Sequence, residues 1–304
     1  MSVTSDMVRK MFKEGDDERD AGLTTPEDIL RFDDILYGED KKWQLLDVYR
    51  PKESSGKLPV IVSVHGGGWV YGDKERYQYY CMNLAQRGFA VVNFTYRLAP
   101  EFQYPASLED TNLVITWVPA NSEKYGFDTD NIYAVGDSAG AHNLGLYTAI
   151  CTNEEYAKRY SFKVPKDFVP KAVALNCGAY RISLDDSVDD LTKALMSDFL
   201  PEKGTIEELN LIDVVKHVTK DFPPVFLMTA TGDFLLNQAP ILMNQLMDKE
   251  VPFVFRFYGN ATYQLGHVFH LNMKMEEAHQ CNDEECKFFM SFYNNKGDEE
   301  KNDR

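Results

Sequence analysis

The segment Tyr133–Gly140, with the sequence YAVGDSAG, decides the fold. An apolar run that ends at Val135 predicts a buried strand, and it leads into a Gly-x-Ser-x-Gly pattern centred on Ser138. The residues from Ala141 to Cys151 predict a helix, so the serine is expected on a sharp strand-to-helix turn. Such a turn holds the hydroxyl where a base can reach it, and glycine neighbours let strand and helix approach closely. The pattern also occurs in ordinary turns, so the interpretation depends on the rest of the chain.

A second strand signal leads directly into a run of glycines. The segment Pro59–Val64 is too apolar for an exposed strand and is predicted near the centre of a sheet. It is followed by His65–Trp69, with the sequence HGGGW. Successive glycines destabilise a fold, so we expect them where the backbone itself must approach another group. The alternative interpretation of this run is a flexible loop. We expect the N–H groups of Gly67, Gly68 and Ala139 to form an oxyanion hole.

Segments typical of strands and helices alternate through the core of the chain. This alternation predicts an α/β architecture with a mostly parallel central sheet and helices on both faces. One all-helical stretch interrupts it, and we expect residues 179–222 and the N-terminal residues 1–27 to form a helical cap over the strand ends. The 304 residues are predicted to form a single domain. Residues 294–304 contain no apolar side chain and are predicted to be a disordered tail.

Composition excludes several classes of partner. The 48 acidic and 32 basic side chains give a net charge of −16, which argues against nucleic acid and against anionic membranes. No apolar run approaches the about 20 residues that span a bilayer, and the charged N-terminus lacks the apolar core of a signal peptide. The five cysteines have neither metal-like nor disulfide-like spacing. A cytoplasmic protein with reduced thiols is expected, and a homo-oligomer is left open.

Two further residues complete a candidate catalytic triad. In hydrolases built around this turn, the acid and then the base follow the serine in chain order. Asp233 follows one predicted strand and His267 follows the last one, so both are expected at the sheet edge where Ser138 lies. His270 is the competing base, and Asp137 is the competing acid, although its place beside the serine favours a structural role. The remaining histidines, for which we expect no role as base, are His65, His142, His217 and His279.

Taken together, these motifs resemble the hormone-sensitive-lipase-like branch of the α/β-hydrolases, which includes many esterases. The matching pieces are HGGGW at 65–69, YRLAPE at 96–101, GDSAG at 136–140, Gly232-Asp233 and His267-x-Phe269. The resemblance implies the α/β-hydrolase fold, with Ser138 as nucleophile, His267 as general base and acid, and Asp233 as the residue that orients it. It also implies oxyanion donors at Gly67, Gly68 and Ala139. The chain departs from the family pattern at 234–238, where FLLNQ stands in place of a Pro-Leu and an Asp-Glu pair.

The expected function is that of a serine carboxylesterase acting on dissolved, short-chain esters such as acetyl esters. We expect a crowded acyl pocket, formed by the aromatic side chains of Trp69, Tyr71, Tyr180, Phe199 and Tyr263. No metal or organic cofactor is expected, because no residues have the spacing of a ligand cluster. One alternative is an amide-directed serine hydrolase of the formamidase or peptidase type. The other is a non-catalytic hydrolase-like protein that binds a small molecule, although such a protein usually lacks the base.

Overall fold

The structure is a computed structural model that describes residues 2–186 and 188–294. The tail predicted at 294–304 lies outside these residues, except for Asn294. Among the described helices, none combines the length and the apolar composition that a membrane span requires.

The core is one eight-stranded sheet in the order β1-β2-β4-β3-β5-β6-β7-β8. Strand β2 runs antiparallel to its two neighbours, and the pairings from β4 through to β8 are parallel. The predicted α/β class and its mostly parallel sheet are therefore confirmed. The strands are β1 (Ile29–Leu36), β2 (Leu45–Pro51), β3 (Leu58–Val64), β4 (Ala90–Phe94), β5 (Phe127–Asp137), β6 (Val173–Asn176), β7 (Val225–Ala230) and β8 (Phe253–Tyr258).

Central strands are apolar on both faces because helices cover both sides of the sheet. In β3, Val62 is fully buried and pairs with Val92 of β4 and Ala134 of β5. Each aliphatic side chain buried in this way stabilises the fold by about 1.5–3 kcal/mol. The sheet is thereby a rigid base, and its parallel strands deliver their carboxyl ends to one edge.

The helices divide between the two faces of the sheet. Helices α3 and α5 pack together on one face, and α2 and α11 pack together on the other. A single 3₁₀ turn, Phe269–Leu271, follows the predicted base. The helices are α1 (Val3–Asp20), α2 (Lys74–Ala85), α3 (Ala106–Ala120), α4 (Ser122–Tyr125), α5 (Ala139–Thr152), α6 (Glu154–Ala157), α7 (Asp190–Phe199), α8 (Ile206–Leu211), α9 (Val214–His217), α10 (Gln238–Asp248) and α11 (Glu276–Met290).

In the part of the segment between β6 and β7 that the structure describes, the helices are α7 to α9 and there is no strand. Helix α8 begins with a capping box, in which the Thr205 side chain accepts from the Glu208 N–H and the Glu208 side chain accepts from the Thr205 N–H. Helix α1 packs against α7, and the Ser5 hydroxyl donates to Asp198. Arg9 donates to the carbonyl oxygens of Val70 and Ala99. Helix α1 therefore bonds both to this segment and to the residue directly after the glycine loop, His65–Trp69.

Candidate active site

Strand β5 ends at Asp137, and α5 begins at Ala139, so Ser138 alone forms the turn between them. Its φ of 52° and ψ of −120° are a strained combination for a residue with a side chain, and strain of this kind costs about 1–3 kcal/mol. A Cβ atom on Gly136 would lie 2.5 Å from the Gly140 carbonyl oxygen, and one on Gly140 would lie 2.1 Å from that of Val64. Only glycine fits at either position, which explains the Gly-x-Ser-x-Gly pattern in steric terms.

The structure brings the three predicted triad residues into one hydrogen-bonded line. The distance from Ser138 Oγ to His267 Nε2 is 3.0 Å, and that from His267 Nδ1 to Asp233 Oδ1 is 2.7 Å. A carboxylate can only accept, so Nδ1 carries the proton and Nε2 is free to accept from the serine hydroxyl. Asp233 is held in turn by the Thr229 hydroxyl, 2.7 Å from Oδ2, and by the Leu235 N–H, 2.8 Å from Oδ1.

The electrostatics of Asp233 suit a group that must stay ionised. Burial by itself raises the pKa of this carboxyl, but the hydrogen bond and charge of His267 outweigh it. The N–H of Leu235 and the hydroxyl of Thr229 act in the same direction, and the pKa of Asp233 lies below its ordinary value. The carboxylate is therefore present throughout the neutral pH range, where it stabilises a positive charge on the imidazole.

Two other carboxyls near the turn are fully desolvated. Asp137 accepts one hydrogen bond, from the Tyr77 hydroxyl, and burial raises its pKa to about 7. Glu285 of α11 accepts from the Asn176 amide and the Tyr80 hydroxyl, and burial raises its pKa to about 7 as well. Asp137 does not contact the imidazole, which excludes it as the acid of the triad, as its place in the sequence suggests.

The glycine loop has the backbone that an oxyanion hole requires. Gly67 has a φ of +115°, and a Cβ atom there would lie 2.1 Å from the Tyr71 carbonyl oxygen. Gly68 has a φ of +60°. Among the residues that the structure describes, the N–H groups of Gly67, Gly68 and Ala139 donate to no protein acceptor. All three residues line the same cavity as Ser138, so they can serve an anion there.

The competing histidines are not placed to act as base. His270 is fully buried, neither ring nitrogen has a partner among the described residues, and burial lowers its pKa to about 3. His65 braces the glycine loop, with its Nδ1 2.7 Å from the Gly66 carbonyl oxygen and its ring stacked on Tyr96. His142 lies under Trp69, whose indole N–H donates to Nδ1 over 3.1 Å. His217 and His279 lie in α9 and α11, away from the cavity lining.

The cavity above Ser138 has a volume of about 640 Å³, within the range of sites that enclose small organic ligands. Of the five aromatic residues predicted to crowd it, Trp69 and Tyr71 line it. The structure corrects the other three. Tyr180 is buried with its hydroxyl on the Leu175 carbonyl oxygen, Phe199 is stacked behind Trp69, and Tyr263 is 48% exposed outside the cavity lining. The remaining lining combines apolar side chains with the charged residues Asp16, Arg19, Arg181 and Asp189. It comes from α1, from the residues between β6 and α7, from α7 and from residues near His267.

The sequence pattern missed three residues that shape this site. Phe234, in the segment that departs from the family pattern, is 73% exposed, and its ring centroid lies 4.2 Å from that of His267. Thr229 holds the far oxygen of Asp233. Tyr77 donates to Asp137 and accepts from the Gly66 N–H. The departure at 234 would have been a usable signal for the first, because that position directly follows the acid.

One group of described side chains has the donor set of a metal site, and it overlaps the triad. Cys177, Asp233 and His267 place a sulfur, an oxygen and a nitrogen within 4.8 Å of one another. The histidine and the aspartate already bond to each other, so a metal ion there would compete with the triad. All five cysteines are free thiols.

Strand order, the serine turn after β5 and the Ser-Asp-His order along the chain define an α/β-hydrolase. The comparisons then give the family: the chain belongs to the BD-FAE family, whose model matches residues 46–246. The expected membership of an α/β-hydrolase esterase family is thus confirmed.

Curated relatives and solved structures are similar over different shares of the chain. Esterase LipC of Mycobacterium tuberculosis is 36% identical over 124 residues, which are 40% of this chain and 30% of LipC. Esterase LipQ of the same organism is 28% identical over 212 residues, 68% of this chain and 50% of LipQ. The chain thus spans half or less of these relatives. Esterase B of Lactobacillus rhamnosis has a TM-score of 0.87 and 25% identity, with 96% of this chain and 97% of that one covered.

Proposed function

We propose that this protein is a serine carboxylesterase that hydrolyses short-chain acyl esters through an acyl-enzyme intermediate. The observation that carries the proposal is the line from Ser138 Oγ to His267 Nε2, at 3.0 Å, and from His267 Nδ1 to Asp233 Oδ1, at 2.7 Å. These are the distances over which a base takes the proton of a nucleophile and a carboxylate orients that base. The esterase names of the relatives support the same class of reaction.

Each step of the proposed reaction uses a side chain or backbone group of the candidate site. Ser138 Oγ attacks the ester carbonyl carbon while its proton passes to His267 Nε2, and the resulting imidazolium lies beside the Asp233 carboxylate. The carbonyl oxygen becomes an oxyanion that accepts from the N–H groups of Gly67, Gly68 and Ala139, which have no acceptor among the described residues. When the tetrahedral intermediate collapses, the alcohol leaves with the proton from Nε2. Water then gives a proton to the same nitrogen as its oxygen attacks the acyl carbon. When this second intermediate collapses, the bond from that carbon to Ser138 Oγ breaks, Nε2 returns the proton to Oγ, and the carboxylic acid leaves.

A short acyl group is the finer part of the proposal. The rings of Trp69 and Tyr71 line the cavity beside the glycine loop, and these bulky side chains support a short acyl group. The aliphatic walls contributed by Val8, Leu191 and Leu195 favour an apolar chain over a charged one. Because two of the five expected aromatic residues line the cavity, the proposal covers acyl chains such as acetyl and butyryl.

The cap is likewise a proposal. Helix α1 and the segment that contains α7 both contribute side chains to the cavity, and this supports a cover over the substrate. We propose that residues 1–27 and 179–222 form this cover and shield the bound ester from bulk water.

The test is a series of nitrophenyl esters from acetyl to decanoyl, with an aryl formamide as the amide counterpart. Wild type should hydrolyse acetyl to butyryl esters fastest, and Ser138→Ala should lose on the order of 10⁵-fold or more in kcat. Ser183→Ala is the matched control, because Ser183 also lines the cavity but bonds to Asp185 instead of a histidine. A fluorophosphonate probe should label wild type and Ser183→Ala, but not Ser138→Ala. Preferred turnover of the formamide would favour an amide hydrolase, and absence of both turnover and labelling would favour a binding protein.

A further inference from the structure

A buried chain of two hydrogen bonds joins the two halves of the reaction centre. The Gly66 N–H donates to the Tyr77 hydroxyl over 2.8 Å, and that hydroxyl donates to Asp137 Oδ2 over 2.7 Å. Gly66 directly precedes the two glycines of the candidate oxyanion hole, and Asp137 directly precedes Ser138. Tyr77 comes from α2 and is part of neither loop.

We propose, on the basis of the esterase function above, that Tyr77 and Asp137 are positioning residues that fix the glycine loop against the serine turn. An ionised carboxylate can only accept, so it directs the single proton of the Tyr77 hydroxyl towards itself. The lone pairs of that hydroxyl are then left for the Gly66 N–H. A bond to a charged acceptor is also stronger than a neutral one, which makes the carboxylate the anchor of the chain.

The fit around this chain is tight. A Cβ atom on Gly66 would lie 2.8 Å from Asp137 Oδ2 and 3.0 Å from the Tyr77 hydroxyl oxygen. Tyr77 is 5% exposed and Asp137 is 2% exposed, so the chain is nearly shielded from bulk water. The other supports of the loop act elsewhere, since His65 bonds to the Gly66 carbonyl and the Trp69 indole bonds to His142. The Tyr77 hydroxyl is the acceptor for the Gly66 N–H.

Oxyanion stabilisation depends on amides that are in place before the charge develops. A shift of a few tenths of an ångström at Gly66 displaces the next two N–H groups relative to Ser138 Oγ. The effect falls on the tetrahedral intermediate more than on the bound ester, because the oxyanion exists only there. Loss of these two hydrogen bonds should therefore lower kcat and leave KM nearly unchanged.

The carboxylate form of Asp137 depends on pH in the neutral range. Burial raises the pKa of Asp137 to about 7, while the Tyr77 hydroxyl and the positive charge of Arg19 oppose this rise. The negative charges of Asp16 in α1 and Glu285 in α11 raise it further. The other titratable groups that interact with Asp137 are the neutral side chains of Tyr80, Cys81, Tyr96 and Cys177. Asp137 is charged above about pH 7 and neutral below it, so its hydrogen bond from the Tyr77 hydroxyl is strongest above pH 7.

The experiment compares Tyr77→Phe with Tyr80→Phe, both measured on the best nitrophenyl ester. Tyr80 is the matched control, because it lies three residues further along α2, is equally buried and gives its hydroxyl to a buried carboxylate, Glu285. Tyr77→Phe should lower kcat about 10- to 100-fold with KM within about threefold, a part of the loss expected when an oxyanion donor is removed outright. Tyr80→Phe should stay within about threefold of wild type. Thermal unfolding reports whether either variant is folded.

Asp137→Asn supplies the second readout, because the amide keeps an oxygen for Tyr77 but does not titrate. The ratio of wild-type to Asp137→Asn kcat/KM should rise as pH increases from 6 to 8, and the double variant with Tyr77→Phe should be about as slow as Tyr77→Phe alone. The inference is overturned if both tyrosine variants lose kcat equally, or if the ratio does not change with pH. A wild type without ester hydrolysis would instead overturn the proposed function.

Discussion

Replacement of Asp233 by asparagine should be far milder than the loss of a triad acid usually is, because the local hydrogen bonds dictate which way the amide turns. Oδ1 accepts from both the His267 Nδ1–H and the Leu235 N–H, whereas Oδ2 accepts from the Thr229 hydroxyl. An amide NH₂ at the first position would face the Leu235 N–H, which can only donate. At the second position it faces a hydroxyl that can turn and accept. The oxygen therefore stays towards His267 and preserves its tautomer.

The magnitude follows from what is then lost, which is the charge alone. A hydrogen bond to a charged group contributes about 1.5–3 kcal/mol and a neutral one about 0.5–1.5 kcal/mol, a difference of about 1–2 kcal/mol. Because 1.36 kcal/mol corresponds to a factor of ten in rate, Asp233→Asn should lose about 5- to 30-fold in kcat. Asp233→Ala removes the acceptor itself and should lose on the order of 10⁴-fold, the loss seen when the wrong tautomer forms.

The assay is steady-state hydrolysis of a nitrophenyl ester at pH 8 for wild type and the two Asp233 variants. Thermal unfolding confirms that each variant is folded. The reasoning is refuted if Asp233→Asn is as slow as Asp233→Ala, since that equality would mean that the amide turns its NH₂ group towards the imidazole despite the Leu235 N–H.

Two further predictions concern the glycine loop and a buried carboxyl. Gly67→Ala should lose at least about 100-fold in kcat, because its Cβ atom would lie 2.1 Å from the Tyr71 carbonyl oxygen. Gly68→Ala should lose less than about tenfold, since its φ of +60° is accessible to alanine at about 1–2 kcal/mol and the nearest atom would be 3.7 Å away. Glu285→Gln should be more stable relative to wild type at pH 8 than at pH 5. Burial raises the pKa of Glu285 to about 7 in the folded protein, whereas a glutamate in the unfolded chain has a pKa of about 4.3. The free energy of unfolding of wild type therefore falls as pH rises from about 4.3 to about 7.

The controls for these two predictions differ. For the glycines, fluorophosphonate labelling separates a misplaced loop from an unfolded protein, and equal losses in both variants would contradict the steric argument. For Glu285, urea unfolding at the two pH values gives the difference directly. A stability gap that is the same at pH 5 and pH 8 would contradict the raised pKa.

The positions of the three triad residues could be predicted from the sequence, because local strand and turn signals determine them. Ser138, Asp233 and His267 each follow a strand, so a strand signal and a motif place them at one sheet edge without knowledge of the packing. The cavity walls were predicted less well, because the direction of a side chain depends on neighbours that are distant in sequence. Tyr180 turns back to Leu175 under its own strand end, and Phe199 is held behind Trp69.

Contacts between distant segments left no local signal at all. The hydroxyl of Tyr77 finds Asp137 across 60 positions of the chain, and nothing in the helical pattern around Tyr77 distinguishes it from Tyr80. The exposed ring of Phe234 was the exception, because the departure from the family pattern at that position marked the loop as unusual before its place beside His267 was known.

The position of His142 has a mechanical consequence. Its Nδ1 accepts from the Trp69 indole, so its Nε2 carries the proton and donates to the Ile212 carbonyl oxygen over 2.8 Å. The neutral ring of His142 thus links Trp69, at the end of the HGGGW loop, to the helical segment between β6 and β7 through two hydrogen bonds. That segment cannot move away at Ile212 without breaking the hydrogen bond between His142 Nε2 and the Ile212 carbonyl oxygen. Product escape that leaves the loop undisturbed must therefore keep this segment in place at Ile212.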